Sequence, residues 1–355
     1  MVKIKQIAVT EQRKEIQLTE NQLKVIKDKY LRDDPSVEYW LDHVAENIAL
    51  ADILYSEHNS EKEIFEGIKY NIEKLQGPKS KTVKLTLLHK GIENHNERDN
   101  NFAKFLSNLY KLSKDKRFEK SFNKTKEEFY NLLSNFEFLP NSPTLMNASR
   151  ELQQLSACYV LGVDDNIEGI YDALKAMATI QKSGGGTGFS FSRLRPAGDL
   201  VKGSRGIASG PISFMSLFDR STYVVRQGGT RRGANMGILR YDHPDIMNFI
   251  TCKKDNMFLE NFNISVAIDE FFMEAVKNNE EYDLINPRTK ESMGKLNARE
   301  VFDSMVKNAW ATGDPGFVVI DRINNTDSNP APALGQIEST NPCVTGDTLI
   351  STENG

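Results

Sequence analysis

Apolar side chains recur every three to four positions along the first part of the chain: Leu23, Ile26 and Tyr30, then Trp40, Val44, Ile48, Ala51 and Ile53, with charged residues between them. That period places them on one side of a helix, and glycine is scarce there, so the pattern predicts a helical region over the first 135 or so residues. Residues 56–126 are rich in Lys, Glu and Asn and read as a mobile insert within it. From Phe138 the texture changes to short apolar runs separated by glycine clusters, after the polar turn Asn141-Ser142-Pro143-Thr144. Residues 157–163 form a predicted strand. Asp165 and Glu168 have the spacing of a capping box, opening a helix whose apolar side is Ile167, Ile170, Tyr171, Leu174, Met177 and Ile180. Alternation over residues 189–196 predicts another strand, and a helix over 212–227 stops at Gly228-Gly229. Asn297 and Glu300 form a second capping box, for a helix carrying Val301, Phe302, Met305, Val306 and Trp310 that ends at Gly313; residues 317–321 read as a buried strand. Strands alternating with helices imply crossover connections and a largely parallel sheet or barrel, an α/β fold.

Composition narrows the class. The 355 residues are 39% hydrophobic and 26% charged with a mean hydropathy of -0.48, values of a folded, soluble chain. No apolar run reaches the roughly 18 residues that a spanning helix needs, and the first residues lack an apolar signal core. The expectation is a cytoplasmic protein without a membrane partner. Three cysteines, Cys158, Cys252 and Cys343, lie too far apart in sequence for a disulfide framework or a CxxC zinc set, and His58, His89 and His95 show no ligand spacing, so no metal site is predicted.

The net charge of -4, from 45 basic and 49 acidic residues, argues against a direct nucleic-acid partner. Between Lys182 and Arg240, however, ten basic residues face two acidic ones, Asp199 and Asp219, and this window holds 12 of the 23 glycines. Bare backbone beside Arg and Lys suits close approach of phosphates; the plainer reading is a Gly-rich surface loop with solvated charges. Within the window, residues 183–188 (SGGGTG) lack the GK[ST] of a Walker A loop and the third glycine of a dinucleotide fingerprint, and they lead into a strand. Residues 227–235 (QGGTRRGAN) make a cationic loop between helix and strand. By residue type alone Cys158 and Cys252 read as core thiols, while Pro342 presents Cys343 on an extended turn. The final residues, DTLISTENG, read as a strand entering a hairpin turn, so the end looks cut.

These segments together resemble a known family. LPNSPTLMNAS, LSACYVLGVDDNIEGI, KSGGGTGFSFSRLRP, GIASGPISFM, QGGTRRGANMGILRYDHPDI, NFNISVAI, INPRTKE, AWATGDPGF and ESTNPC follow in order from about Leu139 to Pro342. The chain resembles the large subunit of ribonucleotide reductase, and specifically the class II kind that depends on adenosylcobalamin. The resemblance implies a helical N-terminal domain over 1–137 and, over 138–342, the first half of a ten-stranded α/β barrel.

It also implies roles. Family members reduce the ribose 2'-carbon with a thiyl radical on a cysteine in an N-P-C-G-E loop. Asn341 matches the Asn of that loop, and Cys158 matches one of two cysteines that deliver reducing electrons and become a disulfide. Ser142, Ser156, Ala157, Cys158, Gly185, Gly186 and Asn341 match positions around the substrate, a ribonucleoside di- or triphosphate. Asp165, Asn166, Arg195 and Lys202 match the site of an effector nucleotide (a dNTP or ATP), and the loop with Gly228, Gly229, Arg231, Arg232, Asn235 and Met236 matches the one that relays effector identity to substrate choice. An external dithiol of the thioredoxin type as reductant, and a homodimer, are implied as well.

The match breaks at Cys343. Where the family continues with Gly-Glu, this chain has Val344-Thr345 and then GDTLI, which resembles the opening block of an intein. Residues 343–355 are then the start of an intein with Cys343 as its nucleophile, and a downstream segment supplies the rest; Cys343 as the radical cysteine of a divergent loop is the weaker reading, because the general-base Glu is missing. Half of a split-intein ligation pair, a nucleotide-binding regulator and a class I large subunit are the alternatives.

Overall fold

The computed structural model describes residues 13, 15–68, 71–74, 83–86, 95–150, 153–200, 206–225, 233–254 and 258–341, with backbone alone for 71–74, 83–86 and 95–100. The chain divides into two compact units, Met1–Leu155 and Ser156–Gly355.

The first unit contains α1 (Glu20–Ile26), α2 (Val37–Leu54), α3 (Glu61–Ile64), the antiparallel pair β1 (Asn71–Lys74) and β2 (Val83–Thr86), α4 (His95–Leu112), α5 (Glu119–Ser134) and α6 (Ser142–Asn147). Helix α2 starts where the Ser36 side chain accepts from the Tyr39 N–H; of the predicted stripe it buries Trp40, Val44 and Ile53, half-buries Ile48 and leaves Ala51 exposed. The described part of residues 56–126 supplies Ile64, Phe65, Leu106, Leu109, Phe118 and Phe122 to a core shared with α2. The polar turn at Asn141 is a helix start: its side chain accepts from the Thr144 N–H, and Pro143 follows in the first turn of α6.

The second unit contains β3 (Cys158–Leu161), α7 (Ile167–Lys182), β4 (Gly186–Ser190), α8 (Gly210–Val225), β5 (Asn235–Arg240), α9 (Ile246–Thr251), β6 (Phe262–Ile268), α10 (Glu270–Asn278), the hairpin β7 (Glu281–Ile285) and β8 (Ser292–Asn297), α11 (Ala298–Thr312), β9 (Gly316–Val319) and α12 (Ile320–Asn325). Five strands pair in the order β3-β4-β5-β6-β9, every pairing parallel, with helices in the crossovers, as the α/β expectation requires. Phe189 and Phe191 pack edge to face on Phe218 of α8, at 4.9 and 5.6 Å between centroids. All three are fully buried, each a contribution of about 1.5–3 kcal/mol.

Several local expectations need correction. Helix α7 opens at Asn166, whose side chain accepts from the Gly169 N–H at 2.7 Å, because the Asp165 carboxylate is engaged by Arg195 instead. The strand after the glycines begins inside them, at Gly186, and ends at Ser190. Helix α8 starts at Gly210 rather than 212; its end at Gly228-Gly229 lies outside the described residues. Strand β9 is an outer strand rather than a buried one, with Phe317 57% exposed, and on α11 only Val301 and Met305 of the predicted stripe are buried while Trp310 is 89% exposed. The Gly313 stop is present as predicted, with φ +83°, while the Asn297 capping box is present only in its first half: Asn297 accepts from the Glu300 N–H.

Candidate functional site

Two places in the sheet unit gather residues singled out by sequence. The first lies at the N-terminal ends of β3 and β4, where the register sets Cys158 opposite Gly186 and the Gly186 N–H donates to the Ala157 carbonyl at 2.7 Å. Residues 340 and 341 lie directly on β4, and glycine makes that approach possible. A Cβ on Gly188 would stand 1.9 Å from the Thr340 carbonyl oxygen, whereas one on Gly186 would make an ordinary 3.5 Å contact with Asn341 Oδ1. Asn341 Nδ2 in turn donates to the Tyr159 carbonyl at 3.3 Å. Ala157, Cys158, Gly186 and Asn341 therefore meet at one strand end, with Cys158 and Ser156 exposed. Gly185 serves packing, since its absent side chain is replaced by Ile180 and Tyr159. Ser142 belongs to the helical unit, where its hydroxyl meets the Tyr30 hydroxyl at 3.3 Å.

Beneath this end lies a buried polar network that sequence reasoning missed. Gln181 Nε2 donates to Asn235 Oδ1 (2.9 Å) and Thr222 Oγ1 (3.1 Å), Thr187 Oγ1 donates to Asn235 Oδ1 (2.7 Å), and Asn235 Nδ2 donates to Thr222 Oγ1 (2.8 Å). Asn235 and Met236 are strand residues of β5, and Asn235 is completely buried. Lys202, Gly228, Gly229, Arg231, Arg232 and Cys343 lie outside the described residues.

The second place is a cleft of about 450 Å³ at the start of α7, lined by Asp165, Asn166, Ile167, Arg195, Phe214 and Arg288 among others. Arg195 Nε bonds both Asp165 carboxylate oxygens (3.1 and 2.9 Å), and its Nη2 donates to the Asp165 carbonyl. The loop bearing Arg195 is clamped on both sides. His243 Nε2 lies 2.8 Å from the Leu194 carbonyl, and Asp245 Oδ2 accepts from the Ala197 N–H at 2.8 Å. His243 Nδ1 accepts from the Asp245 N–H, so Nε2 carries the proton and donates. Burial pushes the His243 pKa below its ordinary value despite nearby Asp245 and Asp242, keeping the ring neutral.

A larger cavity of about 750 Å³ opens at the C-terminal ends of β4, β5 and β6, beside Ser190, Arg240 and Asp269. Ion pairs hold two of its cations: Arg240 with Asp242 and Asp269, and Arg193 with Glu338 and Asp164. Neither cavity is lined by His or Cys, and no cluster of metal-ligating side chains occurs among the described residues. Cys252 is half-buried, and burial pushes its thiol up to about 11, out of reach of ordinary nucleophilic chemistry.

Comparison with known proteins bears on both places. Residues 156–345 match the model of the ribonucleotide reductase barrel domain, and residues 16–153 match that of the ribonucleotide reductase all-alpha domain. Over 216 residues, 61% of this chain, it is 56% identical to a vitamin B12-dependent ribonucleoside-diphosphate reductase of Thermoplasma acidophilum, covering 28% of that protein. A protein of the same description from Mycobacterium tuberculosis is 48% identical over 218 residues, 61% of this chain and 31% of the relative. The large subunit of the vaccinia virus ribonucleoside-diphosphate reductase is 34% identical over 245 residues, 61% of this chain and 32% of the relative. The chain thus spans about three tenths of the length of these relatives. Two family models cover both units, and the chain belongs to the ribonucleotide reductase family.

Proposed function

We propose that this chain is part of a class II ribonucleotide reductase, in which it supplies one reducing cysteine, the substrate-facing strand ends and an effector cleft. The observation that carries the reading is the placement of Cys158 opposite Gly186 with Asn341 laid over that glycine. The B12-dependent assignment is supported by identities of 56% and 48% to relatives named for vitamin B12, against 34% to the viral large subunit.

On this reading the cobalamin, when bound, supplies the radical that a loop cysteine carries. The residues of this chain bind and reduce. The Asn341 amide, seated on β4, hydrogen-bonds the ribose hydroxyls, and the bare backbone at Gly186 receives the nucleotide. Cys158 and a second cysteine beyond this chain each give one proton and one electron: the 2'-C–O bond breaks, a C–H bond replaces it, water leaves, and the two sulfurs join as a disulfide. An external dithiol of the thioredoxin type then reopens that disulfide. The cleft at Asp165, Asn166 and Arg195 holds a deoxynucleoside triphosphate or ATP as effector, in a homodimer.

Val344-Thr345 in place of Gly-Glu supports reading Cys343 as the nucleophile of an intein. The 355-residue chain alone is then expected to be inactive. Two measurements test the proposal. Hydrogen exchange with a ribonucleoside diphosphate should protect residues 157–158 and 186, and with dATP residues 165–166 and 195. Formation of a deoxynucleotide by the chain alone, given adenosylcobalamin and dithiothreitol, would overturn the account of it as a part.

A further inference from the structure

The cleft at the start of α7 contains a cation that none of the expected effector residues accounts for. Arg288 sits in the INPRTKE turn between β7 and β8. That turn is rigid: Asn286 Oδ1 accepts from the Arg288 N–H (2.9 Å) and the Thr289 N–H (3.2 Å), and the Asn286 carbonyl accepts from the Lys290 N–H (2.9 Å). Arg288 Nη2 alone donates to both oxygens of Asp199, at 2.8 and 3.0 Å, and Asn286 Nδ2 reaches the same carboxylate at 3.2 Å. One nitrogen therefore holds the guanidinium in place. A guanidinium carries five N–H donors, and this pairing occupies those of Nη2 only; Nε is buried without a partner.

The charges around the cleft make the same point. Asp165 and Arg195 neutralise each other in their two-pronged pair within the cleft, whereas Arg288 is neutralised from outside it. Its own partner, Asp199, is not on the lining. Asn166 with Ile167 and Ser209 with Gly210 bring the N-terminal ends of two 16-residue helices, α7 and α8, to the same wall. Helix N-termini favour anions, and the two N–H groups of a guanidinium Nη1 can donate to phosphate oxygens.

We infer that Arg288 is a phosphate-binding residue of this cleft, held by Asp199 through Nη2 and offering Nη1 to the phosphates of the effector nucleotide. The inference rests on the proposed reading of the cleft as a nucleotide site. The β7–β8 hairpin then acts as a connector, because its turn joins the bound phosphates to the Asp199 end of the loop that carries Arg195.

The test separates charge recognition from mere support of the loop. Binding of dATP and of deoxyadenosine to the purified chain is measured by ligand-observed NMR for wild type, Arg288→Gln, Arg288→Lys and Asp199→Asn, with thermal melting of each. Arg288→Gln should weaken dATP about tenfold or more while changing deoxyadenosine less than about twofold, because only the triphosphate meets the guanidinium. Arg288→Lys should recover part of the loss, and Asp199→Asn, which keeps the guanidinium, should cost dATP less than Arg288→Gln does. Equal weakening of dATP and deoxyadenosine in Arg288→Gln, or wild-type affinity for dATP, overturns the inference and leaves the cleft a nucleotide site. If wild type binds neither compound, the nucleotide reading of the cleft fails and this role of Arg288 fails with it.

Discussion

The two places that gather candidate functional residues in the sheet unit are built by opposite means. At the end of β3 and β4 the decisive feature is the absence of a side chain: Gly188 lets residues 340 and 341 lie on a strand, with Cys158 beside them. At the start of α7 the decisive feature is charge, in paired form, with Asp165 on Arg195 and Asp199 on Arg288. The first is steric and tolerates no added atom at Gly188; the second is electrostatic and tolerates replacements that keep a donor or acceptor in place. The difference teaches where each place is fragile: one to volume, the other to charge and pH.

The largest contrast expected is chemical. Cys158 is exposed at the strand end, whereas Cys252, with a thiol near 11, has a thiolate fraction of about one in a thousand at pH 8. Iodoacetamide at pH 8, followed by peptide mass spectrometry, should label Cys158 at least about a hundredfold faster than Cys252; comparable rates would remove the accessible-thiol character of the first place. Next comes Gly188→Ala, whose methyl group collides with the Thr340 carbonyl. It should destabilise the unit by about 1–3 kcal/mol and speed amide exchange over residues 336–341, leaving dATP binding near wild type. Loss of dATP binding as well would mean the two places are not separable.

Arg195→Ala reverses that pattern. It leaves the partly buried Asp165 carboxylate without its partner and should weaken dATP about tenfold with little change in exchange at 336–341. The smallest effect is on pH. Burial depresses the His243 pKa, so the unfolded chain takes up that proton first. Its contribution to stability is full above the ordinary imidazole value of about 6.5 and is lost as the pH falls below it. A charged ring no longer accepts the Asp245 N–H, and the Leu194–Ala197 clamp loosens. Thermal melting between pH 7.5 and 5.5 should decline less in His243→Gln than in wild type, and equal slopes would count against the clamp.

What the sequence made legible was local or repetitive. The Asn297 cap and the Gly313 stop depend on neighbours within a turn, and the stripe of α2 depends on period alone. The β9 error came from judging burial by composition: an apolar strand is buried only if something covers it, and Phe317 lies on an outer strand. The helix start at Asp165 was misplaced because Arg195, 30 residues on, competes for that carboxylate. His243 and Arg288 stood within quoted motifs yet were not singled out, since their partners lie 49 and 89 residues away and no spacing reveals such pairs. Residue type alone placed Cys158 in the core, yet it is exposed at the first position of β3.

The order of the sheet also sets a timetable. Strand β9 reaches β6 only after α10, the β7–β8 hairpin and α11 have been laid down between Ile268 and Gly316. Closing so long a loop delays the Ser265↔Gly316 pairing, although each doubling of loop length adds only about 0.6 kcal/mol. During refolding the β6 edge, with Val266 and Ile268, therefore waits uncovered for its neighbour, and that interval is where sticking to other chains competes with folding. Yield on refolding should accordingly depend on protein concentration even where the finished fold is stable.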